Sequence, residues 1–99
     1  MNMQQMLAQA QKMQRELQKA QNELKAKEFT VSKGGAVTVV VKGDHTVQSI
    51  SVDEDAFDKD NKEMVEEMIA MAINEAIGII NKESEEIHER ITGRSGGMF

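Results

Sequence analysis

Residues 29–52 read FTVSKGGAVTVVVKGDHTVQSISV, and the period of this stretch decides the fold. Phe29, Val31, Val37, Val39, Val41, Ile50 and Val52 recur at a spacing of two, the pattern of strands that bury one face. Glycine turns divide the stretch into three short strands within about residues 29–53. Lys33-Gly34-Gly35 is expected to form a three-residue turn that sets Val31 opposite Val37. Gly43-Asp44 is expected to form a two-residue turn that sets Val41 opposite Thr46 and Val37 opposite Ile50. Both registers keep the apolar residues together, so the stretch reads as an antiparallel meander with one covered face.

On either side the period lengthens to that of a helix. Met3, Met6, Ala10, Met13, Leu17, Ala20 and Leu24 alternate at three and four with Leu7 beside them, which predicts one long amphipathic helix over roughly residues 2–27. Three methionines and two alanines make this a soft, shallow seam, suited to an adaptable partner surface as well as to core packing. After an acidic connection at 53–61, apolar residues recur from Met64 to Ile91 and predict a second helix over about 61–92. From Met68 to Ile80 only Asn74, Glu75 and Gly78 interrupt the apolar character, so one sheet face cannot cover that helix all round. Met68, Ile69, Ala72, Ile73, Ala76, Ile77 and Ile80 are therefore the expected contacts to a second subunit. Residues 93–99 have the composition of a flexible tail, with Met98 and Phe99 expected to be poorly ordered.

The class that follows is α+β, in the order α-β-β-β-α, within a single domain spanning residues 1–99. At ~1.5 Å per residue the helices run to roughly 39 and 46 Å, more than the width of a compact globule of this size, about 30 to 35 Å. They must overhang, and overhanging apolar stripes are stable in water only when paired, so a homodimer with protruding helical arms is expected. A chain of 99 residues also buries a marginal core on its own.

Absence of cysteine excludes disulfides, thiol nucleophiles and Cys-ligated zinc. With neither a leader-like start nor an apolar run of membrane length, the sequence reads as soluble and cytoplasmic, with no membrane partner. The net charge of −5 is unevenly placed: residues 1–43 carry seven basic against three acidic side chains, a net +4, and the rest carry −9. A basic front and an acidic back can offer one face to phosphates while the other stays in solvent. Two ordinary solvated helices would carry the same charges.

Three stretches bring a family into view: Met6-Leu-Ala-Gln-Ala-Gln-Lys-Met-Gln14 running on to Leu24, Gly34-Gly-Ala-Val-Thr-Val-Val-Val-Lys-Gly-Asp44 leading to Val52, and Ile69-Ala-Met-Ala-Ile-Asn-Glu-Ala-Ile77. In order and spacing the chain resembles the YbaB/EbfC family of bacterial nucleoid-associated proteins over nearly its whole length. The resemblance implies a dimer with a composite β-sheet and projecting helices, a nucleoid location, and binding of double-stranded DNA with a change in its conformation. The short Gly-rich tail departs from longer family tails.

On the first helix Lys12, Arg15 and Lys19 form a stripe opposite the apolar seam, with Gln4, Gln11 and Gln18 beside it and Lys25 further along. Cations neutralise phosphates and Gln can both donate to and accept from base edges, so this stripe is the expected DNA contact. A solvated coiled-coil exterior uses the same residues. On the projecting arm of the second helix, beyond Ile80, Lys82, Arg90 and Arg94 are the only cations and four glutamates surround Arg90, which leaves Arg94 and the helix tip as the candidate contact there.

Enzyme chemistry finds little support. Glu85-Glu-Ile-His88 has the spacing of a di-metal helix but lacks the further inward carboxylates such a site needs. His45 has no partner group, and Gly34-Gly35 lacks the Lys-Ser/Thr of a phosphate loop. The sequence is read as a non-enzyme with no cofactor, metal or small-molecule substrate. A holdase-like chaperone gripping unfolded chains between Met-rich helices, or a protein-interaction module using the helical arms, is the alternative reading.

Overall fold

The computed structural model describes residues 2–96, with 94–96 described by their backbone alone. The element order is α1 (Met3–Ala26), β1 (Glu28–Lys33), β2 (Val37–Lys42), β3 (Val47–Val52) and α2 (Lys62–Gly96). Helix α1 starts at a reciprocal cap: the Asn2 side chain accepts from the Gln5 backbone N–H at 2.8 Å, and the Gln5 side chain accepts from the Asn2 N–H at 3.3 Å. It stops where Lys27 turns extended and feeds β1.

The strands form one antiparallel sheet in the order β1-β2-β3. Both hairpins sit two residues away from the expected pairing, with Val31 opposite Val39 and Val37 opposite Val52. Strand β1 continues to Lys33, so the first turn is Gly34 to Ala36, closed by the Ala36 N–H on the Lys33 carbonyl at 3.0 Å. Its glycines take φ of +56° and +67°, conformations that side chains with a Cβ resist. The second turn is likewise longer than two residues. Its left-handed residue is His45 at φ +70°, and an irregularity between Val40 and Val41 brings Val41 opposite Val47. Because strand side chains alternate, a slip of two leaves each on its own face, so the covered face survives the change of register.

Within the second turn the Asp44 carboxylate accepts from the Thr46 N–H at 2.9 Å. Hydrogen bonds from the Thr46 side chain and backbone hold that carboxyl below the usual carboxylate range. Gly43 lies directly against α1: its N–H donates to the Lys27 carbonyl at 2.8 Å, and a Cβ there would run into the Leu24 carbonyl.

Helix α2 follows two 3-10 turns, Glu54–Ala56 and Lys59–Asn61, and runs four residues past its expected end at 92. Its first half lies across β1 and β2, burying Phe29, Val31, Val37, Val39 and Val41 beneath Ala72, Ala76 and Ile80. Two alanines one helical turn apart let the helix approach closely. The partition of α2 thus departs from expectation: Ala72, Ala76 and Ile80 are at most 1% exposed within this chain's own core and have no surface left for a second subunit. Met68, Ile69, Ile73 and Ile77 flank that core half-buried.

The second half of α2 leaves the sheet and pairs antiparallel with α1. Met13, Leu17, Ala20 and Leu24 pack on the cluster that includes Ile87 and Ile91. Gln21 and Ser84 exchange two hydrogen bonds, Lys27 meets Glu83 at 2.8 Å, and the His45 ring nitrogen lies 3.0 Å from the Asn81 amide oxygen. The two helices therefore build one arm instead of two separate ones. The chain measures 69 × 21 × 14 Å with a radius of gyration of 19.6 Å, against about 13 Å for a compact globule of its length.

Candidate nucleic-acid interface

Helix α1 packs on α2 through Met13, Leu17, Ala20 and Leu24, and that fixes which side chains it can present outward. Lys12, Arg15 and Lys19 all stand exposed on the outer side of the arm, within about 60° of one another around the helix axis. Gln11, Gln18 and Lys25, seven residues apart, form a second exposed stripe along the helix. Arg15 and Gln18 are shared by two shallow flanks, one lined by Gln11, Gln14, Gln21 and Lys25 and the other by Lys19, Asn22 and Glu23. Gln18 also donates to the Asn22 side chain at 3.3 Å. The structure thus brings all six expected α1 contacts onto one outward surface.

Three other cations are already engaged. Lys27 pairs with Glu83 and lies 5.1 Å from the Phe29 ring centroid, Lys33 pairs with Glu75 at 2.7 Å, and Lys62 pairs with Glu66 at 2.9 Å. Among the described residues Lys12, Arg15, Lys19 and Lys25 enter no ion pair, so their charge is undiminished by a carboxylate partner. On the α2 side of the same arm, Glu83 and Glu86 line a hollow together with Glu23, Lys27 and Arg90. The arm therefore has a basic flank and an acidic flank. Arg94 falls within α2, and its side chain lies outside the described residues, as does the expected tail beyond Gly96.

At the other end of the molecule a different surface stands open. Met64, Met71 and Ile79 on α2 are 42%, 52% and 44% exposed, Val47 and Ile50 on β3 are 40% and 45%, and Phe57 is 82%. Strand β3 carries one edge of the sheet and α2 scarcely reaches it, so Ile50 stays uncovered although it pairs with fully buried Val39. None of these six residues was among the expected subunit contacts. An all-round apolar helix does not reveal which third of it faces its own sheet, and only the Ala72-Ala76 spacing hinted at it. No three described His, Asp or Glu side chains group as a metal site, and no described helix is long and apolar enough to cross a membrane.

Comparison with known proteins gives consistent findings. The model of the YbaB/EbfC DNA-binding family matches residues 1–95. A nucleoid-associated protein of Clostridium novyi is 40% identical over 102 residues, covering 100% of this chain and 90% of that protein. A nucleoid-associated protein of Ligilactobacillus salivarius is 43% identical over 90 residues, covering 87% of this chain and 84% of its own length. The crystal structure of an uncharacterized protein from Helicobacter pylori superposes with a TM-score of 0.74 at 18% identity, covering 93% of this chain and 98% of that one, a likeness of fold.

Proposed function

Because the chain belongs to the YbaB/EbfC DNA-binding family, we propose that it binds double-stranded DNA as a homodimer through the outer face of α1 and alters the path of the duplex within the nucleoid. The observation that carries this reading is the outward row of Lys12, Arg15 and Lys19, cations without carboxylate partners on an arm that projects from the sheet. Such a row suits phosphates, and Gln11 and Gln18 alongside suit base edges or sugar oxygens.

Dimerisation is supported by the exposure of Met64, Met71 and Ile79 on α2 and of Val47 and Ile50 on β3, large apolar side chains that this chain leaves half uncovered. Two chains joined there would carry two arms, and a duplex held by both arms would follow the angle between them, which is how binding would change DNA conformation. Gel-shift titration at two salt concentrations, with the chain in which Lys12, Arg15 and Lys19 are all alanine beside it, tests the reading. Salt-insensitive binding, or none, combined with protection of a denatured client from aggregation would favour the chaperone instead.

A further inference from the structure

The heptad seam of α1 is longer than the surface that covers it. Met13, Leu17, Ala20 and Leu24 lie against α2, but the same seam continues outward through Ala10, Met6 and Met3, and there Met3, Met6 and Leu7 are 77%, 58% and 57% exposed. Three large apolar side chains thus stand largely exposed on a helix end outside the described core cluster. Residues 1–11 carry no charged side chain at all, only Asn and Gln around the Met, Leu and Ala.

We propose that this tip is a docking surface for the same tip of another copy, so that dimers bound to DNA link to one another arm to arm. The inference rests on the DNA-binding reading above. Two observations select a second copy as the occupant. Spacing of three and four is the pattern by which one helix packs on another, and a second copy supplies that pattern in register. The neutral surround meets no like-charge repulsion from itself, whereas an anionic membrane or a charged protein would find no counter-charge before Lys12. The contact is also separate from the open surface at the base, because α2 alone spans roughly 38 Å between Met71 and its last turn at ~1.5 Å per residue.

Size sets how the contact works. About three turns of helix bury well below the roughly 1,200 Å² of a stable interface, so free dimers stay apart. A duplex that holds several dimers close together raises their effective concentration and populates the contact. The expected signature is cooperative binding to long DNA, with apparent affinity about tenfold above that for a one-dimer duplex, equivalent to ~1.4 kcal/mol per contact.

The chain lacks cysteine, so Leu7→Cys places a single thiol at the tip without disturbing a buried position. Two batches of this variant dimer carrying different tags are mixed and treated with a bis-maleimide on a short duplex, on a long duplex, and at high protein concentration without DNA. Links between tags on long DNA but not on short DNA are expected. A second variant, Met6→Gln with Leu7→Gln, keeps the charge and is expected to bind the short duplex as the wild type does while losing the tenfold gain on long DNA. Links confined to one tag would show the tip covered within its own dimer and overturn the proposal. So would an absence of links in both the long-DNA and high-concentration samples. Failure of the wild type to bind the short duplex overturns the DNA reading instead, and the DNA-free sample then still decides whether tips pair.

Discussion

Replacing Lys12, Arg15 and Lys19 together with alanine should flatten the salt dependence of DNA binding while leaving the fold intact. Lys12 to Lys19 spans seven residues of α1, roughly 10.5 Å at ~1.5 Å per residue, and phosphates along one strand advance ~3.4 Å each along the duplex axis. Three cations over that length match three phosphates on one strand. Two arms make six contacts, each contributing about 0.9 to the slope of log affinity against log salt, so the wild-type slope should be about −5. Between ~50 and ~200 mM salt such a slope costs roughly a thousandfold in affinity. The side chains are exposed and enter no described ion pair, and alanine is at least as good a helix former, so helicity and sedimentation should not change. Fluorescence anisotropy over a salt series measures both affinity and slope. A triple variant that keeps the slope near −5 would refute the assignment to α1, and loss of binding on changing Arg90 and Arg94 instead would place the contact on the α2 side of the arm.

Ile79 and Ile80 are neighbours with opposite fates: Ile80→Ala opens a cavity in the chain's own core and should cost about 2 to 5 kcal/mol in denaturant titrations. Ile79→Asp should instead weaken self-association, seen as a lower sedimentation coefficient at a given protein concentration, and equal unfolding by both would contradict the division of α2 into two faces. Gly43→Ala should lower the melting temperature by several degrees, because its Cβ would meet the Leu24 carbonyl where the β2–β3 turn abuts α1; an unchanged melting curve would show that the turn and α1 separate easily. The Asp44 carboxyl is held low by Thr46, so its stabilising contribution is present above the unfolded-state pKa and fades only as pH falls through the lower folded value. A carbon-13 titration should find Asp44 protonating below the ordinary carboxylate range, and Thr46→Ala should move it back up.

How far the fold could be read depended on which physical signal each element carried. Apolar periods of two and of three to four are imposed by backbone geometry, so the strand face through Val39 and Val41 and both long helices were legible. Pairing register was not, because Gly34-Gly35 and Gly43-Asp44 are compatible with turns of more than one length, and only their contacts to Ala36 and Lys27 choose among them. The faces of α2 are illegible for a related reason: with apolar residues all round, periodicity has no minimum to point outward, and nothing in the pattern shows that the chain's own sheet claims Ala72, Ala76 and Ile80. Union of the helices into one arm was written in Ile87 and Ile91, apolar residues in an otherwise polar stretch that needed the Met13-to-Leu24 seam as cover. For the outer face of α1 the sequence identified which side chains share a surface. Their task on DNA is a matter for the salt titration.

Joining α1 and the far half of α2 into a single two-helix rod has a mechanical consequence. The rod is anchored at one end, where Gly43, His45 and Asn81 tie it to the sheet, and the exposed cations Lys12, Arg15 and Lys19 lie further out along it. It is a lever with a short fixed end and a long free one. A hinge rotation of ~10° at the base would carry Lys12, roughly 22 Å from Lys27 at ~1.5 Å per residue, through about 4 Å, a little more than the rise of one base pair. In the proposed dimer, small repacking beside Met71 and Ile79 would therefore shift the two arms relative to each other.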